Sequence, residues 1–268
     1  MKRYCIIFFI TLLNATLLMA QSKTIGTWKV EKGILVKNNS NDYLGAQYWT
    51  IFYSIFPKDI TQNYLTHFSL ITDGKDGDLG GLVPIDTQNK QWKLEIDTSD
   101  MNITNYSEKH IKDYIHTLVH EFGHVLTLNN KQVKPTEDLY QNPEKGYLTS
   151  EGYASKDSYL NLFVTQFWEG VLLNKWDRIN GISSEQKRLK KLYQFYLKNQ
   201  DTFLTDYAAE APEEDIAESW SFFILNDRPS SLNLIKNQKI NFFYQFPELI
   251  EYRTLIRKNI NQYKKTIN

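Results

Sequence analysis

The chain has 268 residues, with 31 Lys and Arg balanced by 31 Asp and Glu, and a single cysteine, Cys5. Even charge excludes a polyanion binder that works through basic excess, so nucleic acid is not an expected partner. With 41% apolar and 14% aromatic residues the chain is too hydrophobic for intrinsic disorder, and one cysteine excludes an internal disulfide, so packing alone must hold the fold.

At the N-terminus Lys2 and Arg3 precede an apolar run from Ile6 to Ala20 that stops before Gln21. It is shorter than the ~20 residues that cross a bilayer and ends on a small residue, so residues 1–20 read as a signal peptide rather than an anchor. Removing it leaves a slightly acidic, cysteine-free chain, residues 21–268, expected to be exported and to fold as one domain without a membrane span.

Within that chain, Gln47–Phe56 reads as a short aromatic helix ending at Pro57, and Tyr64–Ile71 as a strand. Asp73–Gly81 is rich in turn residues and reads as an exposed hairpin turn, since its carboxylates match no calcium-loop register. Gln91–Asp97 alternates, with Trp92, Leu94 and Ile96 on one face and Lys93, Glu95 and Asp97 on the other, the pattern of a half-buried strand. Placed just before the helix that follows, it is expected to line a cleft and pair with an extended peptide. From Ser107 onward the pattern is helical, over 107–128, 158–175, 185–198, 212–226 and 247–264. A sheet-bearing part (about 45–130) followed by a helical part (131–268) indicates an α+β fold.

The 107–128 helix has an apolar stripe at Ile111, Ile115, Leu118, Phe122 and Val125. Inside it stands His120-Glu121-Phe122-Gly123-His124. Residues four apart lie one above the other, so both imidazoles point to one place, and Glu121 sits beside them without being forced to ligate. This is the H-E-x-x-H arrangement, which holds zinc through its histidines and uses its glutamate as general base. His116 extends the series one turn earlier and reads as a neighbour, since one helix supplies three ligands of a tetrahedron only with strain.

A hydrolytic zinc site keeps three protein ligands and an open position. No histidine follows His124, so the third ligand is expected to be a carboxylate. Glu144 lies in a turn without helical support, and Glu169 has no carboxylate four residues on. Glu214 is the strongest candidate: Pro212 suits a first helical turn, acidic residues suit that end of the dipole, and Glu218 follows one turn later on the same face. Glu218 is then placed to accept the N–H of a ligand histidine.

Together, His120-Glu121-Phe122-Gly123-His124 and Glu214-x-x-Ala217-Glu218 resemble the gluzincin type of zinc metallopeptidase and are similar to the catalytic domain of anthrax lethal factor, while the segments His120–Asn130, Ser158–Trp168 and Thr205–Leu225 resemble a group of secreted bacterial zinc metallopeptidases. The resemblance implies a zincin-like fold, Glu214 as third ligand, and Tyr207, seven residues earlier, as a group assisting the oxyanion. It covers about a fifth of the chain, and the 90 residues between His124 and Glu214 exceed the spacing of compact gluzincins. The expected activity is zinc-dependent hydrolysis of internal peptide bonds in a peptide or protein substrate. The rival is a zincin-like metal-binding protein without proteolytic activity, its fourth metal position filled by protein.

Overall fold

A computed structural model describes residues 23–36, 40–74 and 79–267; the signal-peptide reading, and part of the 73–81 turn, lie outside them. In chain order these residues form β1 (Lys23–Glu31), β2 (Ile34–Leu35), α1 (Asp42–Ile55), α2 (Lys58–Tyr64), β3 (Leu65–Thr72), β4 (Gly80–Pro84), β5 (Trp92–Asp97) and α3 (Glu108–Leu128). Then follow β6 (Val133–Lys134), β7 (Leu148–Thr149), β8 (Gly152–Ala154), α4 (Tyr159–Phe167), α5 (Val171–Asn180), α6 (Glu185–Leu197), α7 (Pro212–Leu225), α8 (Ile235–Phe242) and α9 (Pro247–Ile267). The fold is α+β. Leu126–Ile250 cluster as one compact unit, and the described residues up to Val125 cluster with Glu251 onward as another.

The unit holding the N-terminal residues is built on a five-stranded mixed sheet in the order β2-β1-β3-β5-β4. β3 runs antiparallel to β1 and parallel to β5, and β4 runs antiparallel to β5. The alternation of β5 is seen as expected: Trp92, Leu94 and Ile96 are buried, while Lys93 and Glu95 pair with each other on the other face at 2.8 Å. Two expectations are corrected. β5 has a strand on each side, so its backbone groups are already paired and no extended peptide can add to it; among the described strands the ends of this sheet are β2 and β4. The 73–81 segment is not a hairpin turn either, because β3 and β4 do not pair but flank β5 on opposite sides. Asp97, read as outward-facing, is fully buried and accepts the backbone N–H of Asp73, Ser99 and Asp100.

One face of this sheet is covered by aromatic residues of α1, which begins five residues earlier than the aromatic pattern indicated. Trp49 stacks on Tyr53 and meets Phe68 of β3 at 5.5 Å, and Phe52 meets Phe56 at 4.6 Å. The ring of Phe56 in turn stacks on Phe122 of α3, centroids 4.6 Å apart and planes within 12°.

The other unit contains the three-stranded antiparallel sheet β6-β8-β7 and the helices α4 to α8. The single helix expected over 158–175 is two helices, broken at Gly170, whose φ of +88° lies in the left-handed region that favours glycine. Trp168, at the end of α4, is fully buried against Phe203 and Trp176. No described helix is long and apolar enough to cross a membrane.

Candidate metal centre

α3 builds the histidine pair. Leu118, Val119, Phe122 and Val125 are fully buried and fix the helix against rotation, so the polar turn on its other side has one orientation. His120 and His124 are buried, and their rings meet edge to face with centroids 4.7 Å apart. Their Nε2 atoms are 3.0 Å apart. Two nitrogens bound to one zinc at ~2.0–2.1 Å, at a tetrahedral angle, lie about 3.3 Å from each other. The observed separation is close to that, so the pair fits a zinc ion with only a small opening.

Glu121 is also buried. The first residue of β4 comes up against this turn: a Cβ at Gly80 would lie 3.0 Å from the Glu95 carbonyl oxygen, 3.4 Å from Thr117 Cγ2 and 3.7 Å from Glu121 Cγ. A Cβ there would press on the Glu95 carbonyl and sit in ordinary van der Waals contact with the glutamate, and only a longer side chain would crowd it.

The carboxylates of the second motif stand at the start of α7. Ala211 is extended, Pro212 opens the helix, and Glu213, Glu214 and Asp215 share the first turn. Three like charges there repel one another, and the positive end of the helix dipole offsets only part of that. Asp215 is neutralised separately. It is fully buried and accepts from Lys239 Nζ of α8, also fully buried, and from the Trp168 indole N–H at 2.7 Å. Aromatic rings surround the ammonium, the Phe203 centroid 4.3 Å away. Burial pushes the Asp215 carboxyl up, to about 6, against the opposite pull of Lys239 and Trp168, and burial lowers the Lys239 amine. Loss of hydration pushes Glu213 up to about 8, with the charges of Glu151 and Glu214 adding to the rise.

Glu218 is buried one turn further along and accepts a hydrogen bond from Thr205 Oγ1 at 2.8 Å. That hydroxyl also accepts from the Ala208 N–H at 3.0 Å, tying the 3-10 turn over Tyr207–Ala209 to the carboxylate. Tyr207 itself is about half exposed, at 46%.

Asp73, Asp97 and Asp100, all in the unit with the five-stranded sheet, form a group that could hold a metal ion, with one ligand atom per residue and those atoms within 4.8 Å of one another. His116, His120 and His124 belong to that same unit, and Glu214 and Glu218 to the other. Glu144 and Glu169 belong to no such group among the described residues. Glu144 sits in a turn with its N–H on Asn142 Oδ1, and Glu169 lies in the break between α4 and α5. Two imidazoles and a carboxylate are a donor set suited to zinc, whereas an all-oxygen set suits harder cations.

Sequence reasoning missed Lys239, Trp168 and Thr205. In the sequence Lys239 stands three residues after Lys236 and just before Ile240-Asn241-Phe242-Phe243, a pattern that does not single it out.

A family profile described as "Putative zinc-binding metallo-peptidase" matches residues 87–265, about two thirds of the chain, a span that contains α3 and α7 entire. No curated protein matches, and no solved structure does. With the profile covering that share of its length, the chain belongs to this family of zinc-binding metallopeptidases.

Proposed function

We propose that the protein is an exported zinc-dependent endopeptidase of the gluzincin type, related in its motifs to the anthrax lethal factor catalytic domain. The observation that carries this reading is the buried His120–His124 pair, its Nε2 atoms 3.0 Å apart, with Glu121 beside it in a member of a zinc-binding peptidase family. His120, His124 and Glu214 are the proposed ligands, a reading supported by the two motifs that carry them. Export rests on the N-terminal pattern of residues 1–20.

When bound there, zinc supplies Lewis-acid polarisation of a carbonyl and makes water a stronger acid. The chain's own groups do the rest. Glu121 takes the proton of the attacking water and delivers it to the leaving amine, a role its burial supports by keeping bulk water away. Glu218, held by Thr205, orients a histidine ring. Tyr207, half exposed at the turn before α7, offers its hydroxyl to the developing oxyanion. β4 rather than β5 is the strand on which an extended substrate would add, because it ends the sheet and its Gly80 adjoins Glu121.

Glu121→Ala should keep one equivalent of zinc and lose hydrolysis of a peptide library; cleavage at the wild-type rate would refute the mechanism. Glu214→Ala should lose the metal, and retention of one tightly bound zinc would remove Glu214 from the ligand set. Wild-type protein that binds zinc but cleaves nothing in the library would establish the non-proteolytic reading instead.

A further inference from the structure

α6 has two apolar stripes where a helix on the surface of a compact unit needs one. Leu192 and Phe195 face inward and are buried, Phe195 against Phe203 at 5.5 Å. Leu189, Tyr193 and Leu197 recur every four residues, so they form a second line down the helix, and they are exposed to 47%, 53% and 47%. At 1.5 Å per residue this helix is about 20 Å long, enough to lie along a surface.

Its charge is as unusual as its shape. The chain as a whole is balanced, yet α6 carries four basic residues against one acidic. Lys187, Lys190 and Lys191 are exposed, and none takes part in an ion pair among the described residues. At about 100° per residue, Lys190 borders the Leu189–Tyr193–Leu197 line directly, Lys187 lies about 120° from its centre, and Lys191 points almost opposite to it.

The combination selects among partners. A polyanion would engage the lysines but leave the leucines in water. A second copy of the helix would bury the leucines while bringing like charges together. An anionic bilayer satisfies both, since its headgroups meet the Lys190 ammonium, and Lys187 reaches them along its flexible stem, while Leu and Tyr side chains enter the boundary with the acyl chains. We propose that α6 docks the protein on an anionic lipid bilayer, lying in the plane of the headgroups with Leu189, Tyr193 and Leu197 inserted. The contact is peripheral, as no described helix can span. It needs neither the metal nor the peptidase reading.

The test uses the full chain in a Cys5→Ser background, with an environment-sensitive dye on Tyr193→Cys. Residues 6–20 are apolar and could adhere to vesicles themselves, whereas the dye reports from α6 alone. Its emission should shift to the blue on phosphatidylglycerol vesicles, stay unshifted on pure phosphatidylcholine, and return in ~1 M salt, where the screening length falls to ~3 Å. Replacing Lys187 and Lys190 by Gln should weaken this partitioning about 30-fold, Lys191→Gln on the opposite face should change it much less, and Leu189→Ser with Leu197→Ser should remove the shift. The proposal is overturned by an unshifted dye on anionic vesicles, by a shift indifferent to the Lys187 and Lys190 substitutions, or by a lipid-free dimer that the two Leu→Ser changes dissolve.

Discussion

Replacing Lys239 by Met tests the account of the α7 start most directly. Lys239 and Asp215 are both fully buried, and without the ammonium only the Trp168 N–H would still donate to the carboxylate. Removing one partner of a buried ion pair typically costs about 3–5 kcal/mol. The structure gives a second route to the number. In the wild type the Asp215 carboxyl stands at about 6, so above pH 6 it is ionised in the folded protein. In the variant only the Trp168 N–H supports the charge, and the folded state must keep the proton to higher pH. A group whose folded value is raised stabilises below its unfolded value, ordinarily 3.8, and loses that stability as pH rises to the folded value. The two proteins should therefore differ little in slope between pH 4 and 6. Above pH 6 they diverge by ~1.4 kcal/mol per pH unit, reaching about 3 kcal/mol at pH 8. Urea titrations of the metal-free proteins from pH 5 to 8.5 measure the difference. Adding Asp215→Asn should recover most of the loss and remove the divergence, because a neutral amide still accepts from Trp168. Parallel curves above pH 6, or a double variant no more stable than the single one, would refute the reasoning.

Glu213→Gln isolates a neighbouring effect. With its folded value at about 8 and an ordinary value of 4.5, Glu213 stabilises the metal-free protein fully below pH 4.5 and loses that contribution progressively up to pH 8. The variant should flatten the stability curve between pH 6 and 8 by up to ~1.4 kcal/mol per unit, as read by chemical denaturation after chelation. Gly80→Val should slow hydrolysis by about 10–100-fold while leaving bound zinc unchanged, since its Cβ would press on the Glu95 carbonyl and its methyl groups would extend beyond the Cβ, which already touches Glu121. Steady-state cleavage alongside metal analysis checks this, and unchanged kcat would show that Glu121 has room to spare.

What could be read in the sequence was whatever is encoded within one element. The period of α3 and the alternation of β5 are local, and both elements match their expected ranges to within a residue. The position of β5 inside the sheet is not local. β1 and β4 decide it, and neither announces itself: β1 follows the apolar N-terminal run, and β4 is a five-residue strand containing two glycines and a proline. The result inverted the expected role of β5, since a strand that looks half-buried from its side chains can still have both backbone edges occupied. The break at Gly170 has a similar cause. Apolar spacing continues through 158–175, and only the left-handed φ, a tertiary requirement, stops the helix.

The histidine pair was legible because coordination chemistry restricts residue type and spacing together. Histidines four apart share one face of a helix, and the rotamers they adopt there bring their Nε2 atoms to 3.0 Å. The groups that steady the second motif obey no such restriction. Lys239 reaches Asp215 across 24 residues, and Trp168 reaches it across 47. Any cation and any donor delivered there would serve, so no spacing predicts them. Yet their effect falls on the metal site. With three acidic residues in one turn, α7 would repel itself if all three were left charged and unsupported. Lys239 and Trp168 draw Asp215 into the core, and the high value of Glu213 keeps it largely protonated near neutral pH. If Glu214 is the third ligand, as proposed, the acidity of the helix start is then a means of setting one carboxylate of that turn apart from the other two.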